Sequence, residues 1–126
     1  MSISSKLFLL LGSANAMLAV ILGAFGAHAL KSRLTAEMLA VFQTGVQYHF
    51  YHSLGLIAVG LVINQFTTIG LFKWSGWIMF AGILLFSGSL YILAVSNLRW
   101  MGAITPIGGI SFIIAWLLLF IGIMKI

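Results

Sequence analysis

The sequence predicts an all-α membrane protein: an integral membrane bundle of four transmembrane helices, with a short interfacial amphipathic helix between the first two. Hydrophobic residues make up 63% of the 126 residues and charged residues only 6%, whereas an ordinary soluble domain has about 25% charged residues. The apolar residues also form four long stretches, each close to the ~20 residues that cross ~30 Å of hydrocarbon as a helix. A soluble chain of this length would have no interior for so much apolar surface.

The apolar stretches and the residues between them define the predicted elements. The four transmembrane helices form a single membrane domain and cover about residues 7–30, 46–66, 74–95 and 106–124. A connection rich in Thr, Asn and Gln precedes the third helix, and Trp100 follows it at the depth of lipid headgroups. Pro106 suits the first turn of the fourth helix, because the N–H group that proline lacks would have no partner there anyway.

The segment between the first two helices is more polar than the helices themselves. Apolar residues recur at every fourth position from Leu34 to Phe42, among charged and polar residues that include the only carboxylate side chain, Glu37. This pattern predicts an amphipathic helix at about residues 34–44. It would lie at the membrane interface, or it would extend the second transmembrane helix at its N-terminus.

Basic residues give the chain a formal net charge of +5 and stand singly at the ends of the apolar stretches. They are Lys6, Lys31, Arg33, Lys73, Arg99 and Lys125. At such positions they reach the headgroups of anionic lipids, and no basic stripe alternates with aromatic residues as in nucleic-acid-binding proteins. We therefore expect the lipid bilayer as a partner and no nucleic acid. Three basic residues fall on each side, so the positive-inside rule gives no orientation.

Small residues recur at spacings of three and four on the first and fourth helices. The predicted packing positions are Gly12, Ala16, Ala19, Gly23 and Ala27 on the first helix and Gly108, Ser111, Ala115 and Gly122 on the fourth. Such a stripe lets two helix backbones approach closely in lipid. The stripes exceed what one four-helix bundle needs, which favours a homo-oligomer; a place in a larger membrane complex is the alternative.

Polar residues inside the apolar stretches are the candidates for function, because a polar side chain in hydrocarbon is costly. The candidate polar site comprises His28, His49, His52, Gln47, Tyr48, Asn15, Ser89 and Tyr91. His49 and His52 are three residues apart and share a helix face. Because His28 ends the first predicted helix and His49 begins the second, we expect the three histidines to converge at one membrane depth.

Three functions are open for these residues. The favoured one is structural: the polar side chains hydrogen-bond the helices together in an accessory or assembly component, with no cofactor. The second is proton-linked or small-solute transport along the histidine, tyrosine and amide groups. The third is a haem or copper site on His28, His49 and His52, in a membrane subunit of a respiratory complex. Catalysis is not expected, because Ser53 and His52 are adjacent and point about 100° apart on a helix.

The absence of cysteine narrows the chemistry further. It excludes disulfides, thiolate metal sites and cysteine nucleophiles. His49 and His52, three residues apart, then have no other strong metal ligand beside them.

Four short motifs are spread over nearly the whole chain. They are Gly23–Leu30, Tyr48–His52 with Leu54, Phe86–Tyr91, and Thr105–Gly109 with Trp116. Together and in this order they resemble the small membrane proteins of domain-of-unknown-function family 423, the transmembrane protein 256-like proteins. The resemblance implies a multi-pass membrane protein, which in bacteria lies in the inner (cytoplasmic) membrane, and it implies no particular activity.

Overall fold

In the computed structural model, which describes residues 1–126, the chain forms four long helices and no strands. We label them α1 (Ile3–Leu30), α2 (Ala36–Gln65), α3 (Gly70–Ser96) and α4 (Thr105–Met124); a 3-10 helix at Arg99–Ala103 leads into α4. Four helical spans are long and apolar enough to cross a membrane. The prediction of an all-α membrane bundle with four transmembrane helices is confirmed.

α2 begins at Ala36, about ten residues before the predicted start of the second transmembrane helix. The residues that follow therefore lie further from the start of the helix than expected. Thr35 caps α2 by accepting a hydrogen bond from the N–H of Met38 at 3.2 Å, and the helix then runs unbroken for 30 residues from Ala36. The prediction of a separate interfacial helix at about residues 34–44 is therefore wrong, and the alternative, an N-terminal extension of the second transmembrane helix, is what the structure shows: residues 36–44 are the first turns of α2. The reason is that Phe42 is buried against α1, so that the apolar core continues through this segment.

Aromatic rings lie directly on glycines of neighbouring helices and set the spacing of the bundle. A Cβ atom at Gly76 would lie 2.5 Å from the ring of Phe8, and one at Gly82 would lie 2.5 Å from the ring of Phe112. The ring–glycine pairs are Phe8–Gly76, Phe42–Gly26, Phe72–Gly122 and Phe112–Gly82. Packing at this density leaves no room for a methyl group at these positions.

The small residues predicted to serve packing differ in what they contact. A Cβ atom at Gly12 would lie 2.6 Å from Ile57 of α2, and Gly23 lies opposite Val46. In α4, Gly108 contacts the backbone of Phe86, while Ala115 and Gly122 are buried. Ala19 is also buried, Ala16 is half-buried and Ala27 is exposed. Ser111 is half-buried and donates a hydrogen bond to Ile107 of its own helix at 3.0 Å.

Three buried serines connect helices through backbone carbonyl groups. The pairs are Ser5 to Gly60 (α1 to α2, 2.8 Å), Ser87 to Gly45 (α3 to α2, 2.7 Å) and Ser75 to Ala115 (α3 to α4, 2.7 Å). Hydrocarbon offers no water to replace such partners. Every buried side-chain nitrogen or oxygen atom in the bundle has a hydrogen-bond partner.

Two π-helical turns interrupt the regular helices, at Gly26–Leu30 in α1 and Ile83–Ser87 in α3. Each adds a residue to a turn, which changes the faces that the following residues present. The turn in α3 ends at Ser87, whose hydroxyl group contacts α2, and directly precedes the segment that carries Tyr91 towards the same helix. It therefore helps to position the polar residues described next.

Candidate functional site

Asn15, His49 and Tyr91 come from three different helices and form one hydrogen-bonded chain. Nε2 of His49 lies 2.9 Å from Oδ1 of Asn15, and Nδ1 of His49 lies 2.9 Å from the hydroxyl oxygen of Tyr91. The His49 side chain is 3% exposed. The three residues thus link α1, α2 and α3 through a single imidazole ring.

The partners of this chain determine where each proton lies. The amide nitrogen of Asn15 donates to the carbonyl oxygen of Leu11 at 2.8 Å, so Oδ1 faces His49 and can only accept. Nε2 of His49 must then donate, which leaves Nδ1 of the neutral ring as the acceptor for the Tyr91 hydroxyl group. In this arrangement the Tyr91 hydroxyl group donates to Nδ1, and both ring nitrogens have a partner within the protein. The chain is therefore complete with neutral His49 in one tautomer.

Two members of the chain, Asn15 and His49, lie near the middle of their helices. At 1.5 Å per residue, His49 is about 20 Å from the start of α2 and about 24 Å from its end. Asn15 occupies a similar position in α1, the helix that runs Ile3–Leu30. Tyr91, by contrast, is five residues, or about 8 Å, from the end of α3 at Ser96, and its hydroxyl group reaches His49 from there. Hydrocarbon around these helices offers no water, so the hydrogen bonds of the chain replace contacts that water would make elsewhere.

His52 belongs to a separate aromatic cluster between α2 and α4. Its Nδ1 lies 2.7 Å from the carbonyl oxygen of Tyr48, one turn earlier, and so donates to it. Its ring stacks on Phe112 with the centroids 3.4 Å apart and the planes at 8°. Tyr48 packs beside it, with its ring centroid 4.6 Å from that of Phe86. His52 and Tyr48 therefore do not join the Asn15–His49–Tyr91 chain.

His28 lies apart from the other two histidines, which corrects the predicted convergence. His28 is exposed in the π-helical turn that ends α1. His49 instead contacts Asn15, which lies in α1, 13 residues before His28. That separation is about 20 Å along the helix axis. The prediction failed because α2 begins at Ala36, which places His49 in the middle of the helix rather than at its start. No group of three or more His, Cys, Asp or Glu side chains could hold a metal ion, so the three histidines do not form one metal centre.

The remaining candidates lie in other places. Ser89 connects α3 with the start of α4, since its hydroxyl group lies 2.6 Å from that of Thr105 and 2.9 Å from the carbonyl oxygen of Phe86. Gln47 is exposed on the outer face of α2. Ser87 was not among the predicted residues, but it lines the same cavity as Asn15, His49 and Tyr91 and donates a hydrogen bond to Gly45 of α2. The only signal for it is a serine in a motif of small residues in the middle of an apolar stretch.

Two cavities adjoin these residues. One of about 160 Å³ opens between α1 and α3, beside Asn15, His49 and Tyr91; it is smaller than the ~300–1,000 Å³ of typical ligand pockets. The other, of about 450 Å³, is a groove on the outer face of α1 and α2. Gln47 and Tyr51 are its polar residues, among small and apolar side chains.

The comparison with known proteins agrees with the motifs and with the fold. Residues 22–109 match the family described as "Protein of unknown function (DUF423)". The chain belongs to this family. The UPF0382 membrane protein YwdK of Bacillus subtilis is 52% identical over 120 residues, which are 95% of this chain and 98% of the relative. A UPF0382 membrane protein of Staphylococcus saprophyticus, SSP2132, is 53% identical over 121 residues, 96% and 99% of the two chains.

The family assignment confirms the resemblance and the interpretation as a multi-pass membrane protein. The relatives are named as membrane proteins, and their names state no activity. No solved structure matches this member of the family. The geometry of its polar residues is therefore the basis for any statement about function.

Proposed function

We propose that the protein is a non-catalytic assembly component of the bacterial inner (cytoplasmic) membrane, which associates with a second copy of itself through the outer face of α1 and α2. One observation carries the proposal: Gln47 and Tyr51 point out of the bundle within a membrane span, while the buried polar atoms inside are satisfied. Helical spans rather than a β-barrel support the cytoplasmic membrane as the location.

The depth of these outward polar groups makes lipid a poor neighbour. Gln47 is about 17 Å along α2 from its start and Tyr51 about 23 Å, close to the middle of the helix. Tyr51 is 55% exposed. Gln43, Gln47 and Tyr51 follow at intervals of four residues and so share one face of α2. An amide or hydroxyl group that faces hydrocarbon at this depth gains by meeting a protein partner.

A second copy of the chain is the partner that this face suits best. A two-fold axis along the membrane normal keeps each residue at the same depth in both copies, so Gln47 would meet its counterpart. A side-chain amide is both donor and acceptor, and two of them can bond to each other. Gly23 and Ala24 line the same groove, and small residues allow helices to approach closely in lipid.

The interior of the bundle supports a structural role for its histidines. The Asn15–His49–Tyr91 chain uses both ring nitrogens of His49 within the protein. His52 is held by a backbone carbonyl group and by ring stacking. Both histidines thus act as connections between or within helices, as the favoured hypothesis expects.

Disulfide crosslinking in membranes tests the proposed interface, because the chain has no cysteine of its own. Val20→Cys places a thiol in the α1–α2 groove without changing Gln47. Ile113→Cys is the control, because Ile113 is also exposed within a membrane span but lies on α4, outside the groove. We expect a crosslinked dimer from Val20→Cys and not from Ile113→Cys.

The contribution of the amide is measured by adding Gln47→Leu to the crosslinking variant. Loss of one hydrogen bond in a membrane costs about 0.6–1.7 kcal/mol, which corresponds to a dimer dissociation constant about 3- to 20-fold higher. Equal crosslinking at both cysteine positions, or a product of Val20→Cys whose mass differs from twice that of the chain, would overturn the proposal.

A further inference from the structure

A third cavity, a pocket of about 300 Å³, lies at the end of the bundle where α2 begins and α3 ends. Arg33 and Arg99 both line it, the first from the connection between α1 and α2 and the second from the connection between α3 and α4. The fold, and not proximity in sequence, brings the two guanidinium groups to one pocket. This pocket is independent of the α1–α2 groove and of the proposed dimer.

The polar end of the pocket is suited to an anion with several oxygen atoms. A guanidinium group can donate two parallel hydrogen bonds to a phosphate, and two arginines, both exposed, line this pocket. The pocket also includes Thr35 and the first turn of α2, a 30-residue helix. Thr35 accepts a hydrogen bond from the N–H group of Met38. The N–H groups that precede Met38 in the first turn have no acceptor in the helix itself. These groups add positive potential beside the arginines.

The apolar residues of the pocket indicate that the anion carries a hydrocarbon chain. Ala94 and Val95 line the pocket from the last turn of α3, and this helix leads from them into the membrane span. Trp100 is exposed just beyond α3, and tryptophan at the end of a span marks the depth of the headgroups. A ligand that fits both ends has a phosphate at the interface and acyl chains that run into the bilayer.

Glu37 adds a selective element, because its carboxylate lines the same pocket as the two arginines. A headgroup that places a hydroxyl or ammonium group next to its phosphate can donate to this carboxylate, whereas a trimethylammonium group has no N–H or O–H to donate. We propose that the pocket binds one glycerophospholipid whose headgroup carries such a donor, as in phosphatidylglycerol or phosphatidylethanolamine, and discriminates against phosphatidylcholine.

The test is a titration of the purified full-length protein in detergent with soluble short-chain forms of the three lipids. Native mass spectrometry counts the bound lipid, and thermal unfolding followed by circular dichroism provides an independent dissociation constant. We expect phosphatidylglycerol and phosphatidylethanolamine to bind about tenfold more tightly than phosphatidylcholine, because a hydrogen bond to a charged group is lost with the last. Equal binding of all three lipids would overturn the proposal.

Charge variants separate the pocket from the general attraction of basic residues to lipid. Each of Arg33→Gln and Arg99→Gln should weaken phosphatidylglycerol binding about fivefold, and both together about thirtyfold. Lys31→Gln is the matched control, because it removes the same charge at the same end of the bundle but does not line the pocket. An effect of Lys31→Gln as large as that of either arginine variant would contradict a specific site.

Two further measurements keep the proposal falsifiable if the double variant does not fold. Glu37→Gln should tighten binding of phosphatidylcholine, because it removes a negative charge beside the phosphate, and should reduce the preference for phosphatidylglycerol over phosphatidylcholine; an unchanged preference would contradict the role of Glu37. Inorganic phosphate is the probe for a free anion. If it raises the unfolding temperature as much as phosphatidylglycerol does, the ligand is not a lipid.

Discussion

Tyr91→Phe tests the polar chain in the centre of the bundle, because it removes one hydroxyl group and leaves the ring. The Tyr91 ring packs against Phe42 with the centroids 5.1 Å apart, and this contact survives the substitution. What is lost is the hydrogen bond of 2.9 Å to Nδ1 of His49. The variant isolates this bond better than a change of His49, which would remove two bonds at once.

The expected cost follows from the environment of the bond. Interhelical hydrogen bonds in membrane proteins contribute about 0.6 kcal/mol on average and up to about 1.7 kcal/mol. Nδ1 of His49 would also remain as a buried acceptor without a donor, which adds to the cost. We therefore expect Tyr91→Phe to lower the free energy of unfolding by about 1–2 kcal/mol. Tyr48→Phe, whose hydroxyl group makes no hydrogen bond, should change it by less than about 0.5 kcal/mol.

The assay is reversible unfolding in mixed micelles by a denaturing detergent, followed by far-ultraviolet circular dichroism. A double-mutant cycle with His49→Leu completes the measurement, because Tyr91→Phe should cost nothing further once the imidazole ring is absent. The reasoning is refuted if Tyr91→Phe costs no more than Tyr48→Phe, or if its cost is the same with and without His49.

Three further tests, with five variants, probe other features of the bundle by the same unfolding measurement. Gly108→Ala should destabilise by about 1–3 kcal/mol because its methyl group would meet the backbone of α3. Gly109→Ala, with its nearest neighbours at 3.8 Å, should be neutral or stabilising, and equal effects would contradict the packing. Ser75→Ala should cost about 0.6–1.7 kcal/mol through its lost bond to α4, while Ser111→Ala, bonded within its own helix, should cost less; the reverse order would refute this. His28→Ala should leave stability within about 0.5 kcal/mol, since His28 is exposed, and a larger loss would place it in a contact that the structure lacks.

The fold class was predictable from the sequence because the length of an apolar stretch is set by the thickness of the bilayer. The start of α2 was not predictable, because it depends on a tertiary contact. Whether residues 36–44 lie along the membrane surface or continue the transmembrane helix is decided by Phe42, which packs over Gly26 of α1. Both arrangements have the same amphipathic pattern, and the pattern alone does not distinguish them.

The members of the polar site were partly predictable, but their pairing was not. Asn15, His49 and Tyr91 were among the candidates because each is polar within an apolar stretch. Which of them meet depends on how the three helices are placed along one another. His49 lies about 15 Å further from the start of its helix when that start is Ala36 and not about residue 46. The π-helical turn before Gly88 also alters the faces of α3, and a regular helical spacing does not reveal it.

The two contacts that join α3 and α4 form a reciprocal lock. Phe72 of α3 covers Gly122 of α4, and Phe112 of α4 covers Gly82 of α3. On each helix the phenylalanine and the glycine are ten residues, or about 15 Å, apart. Sliding or rolling one helix along the other would drive both rings against backbone at the same moment. The hairpin of α3 and α4 should accordingly move as one rigid body, and any rearrangement of the protein in the bilayer would have to occur between that hairpin and the pair formed by α1 and α2.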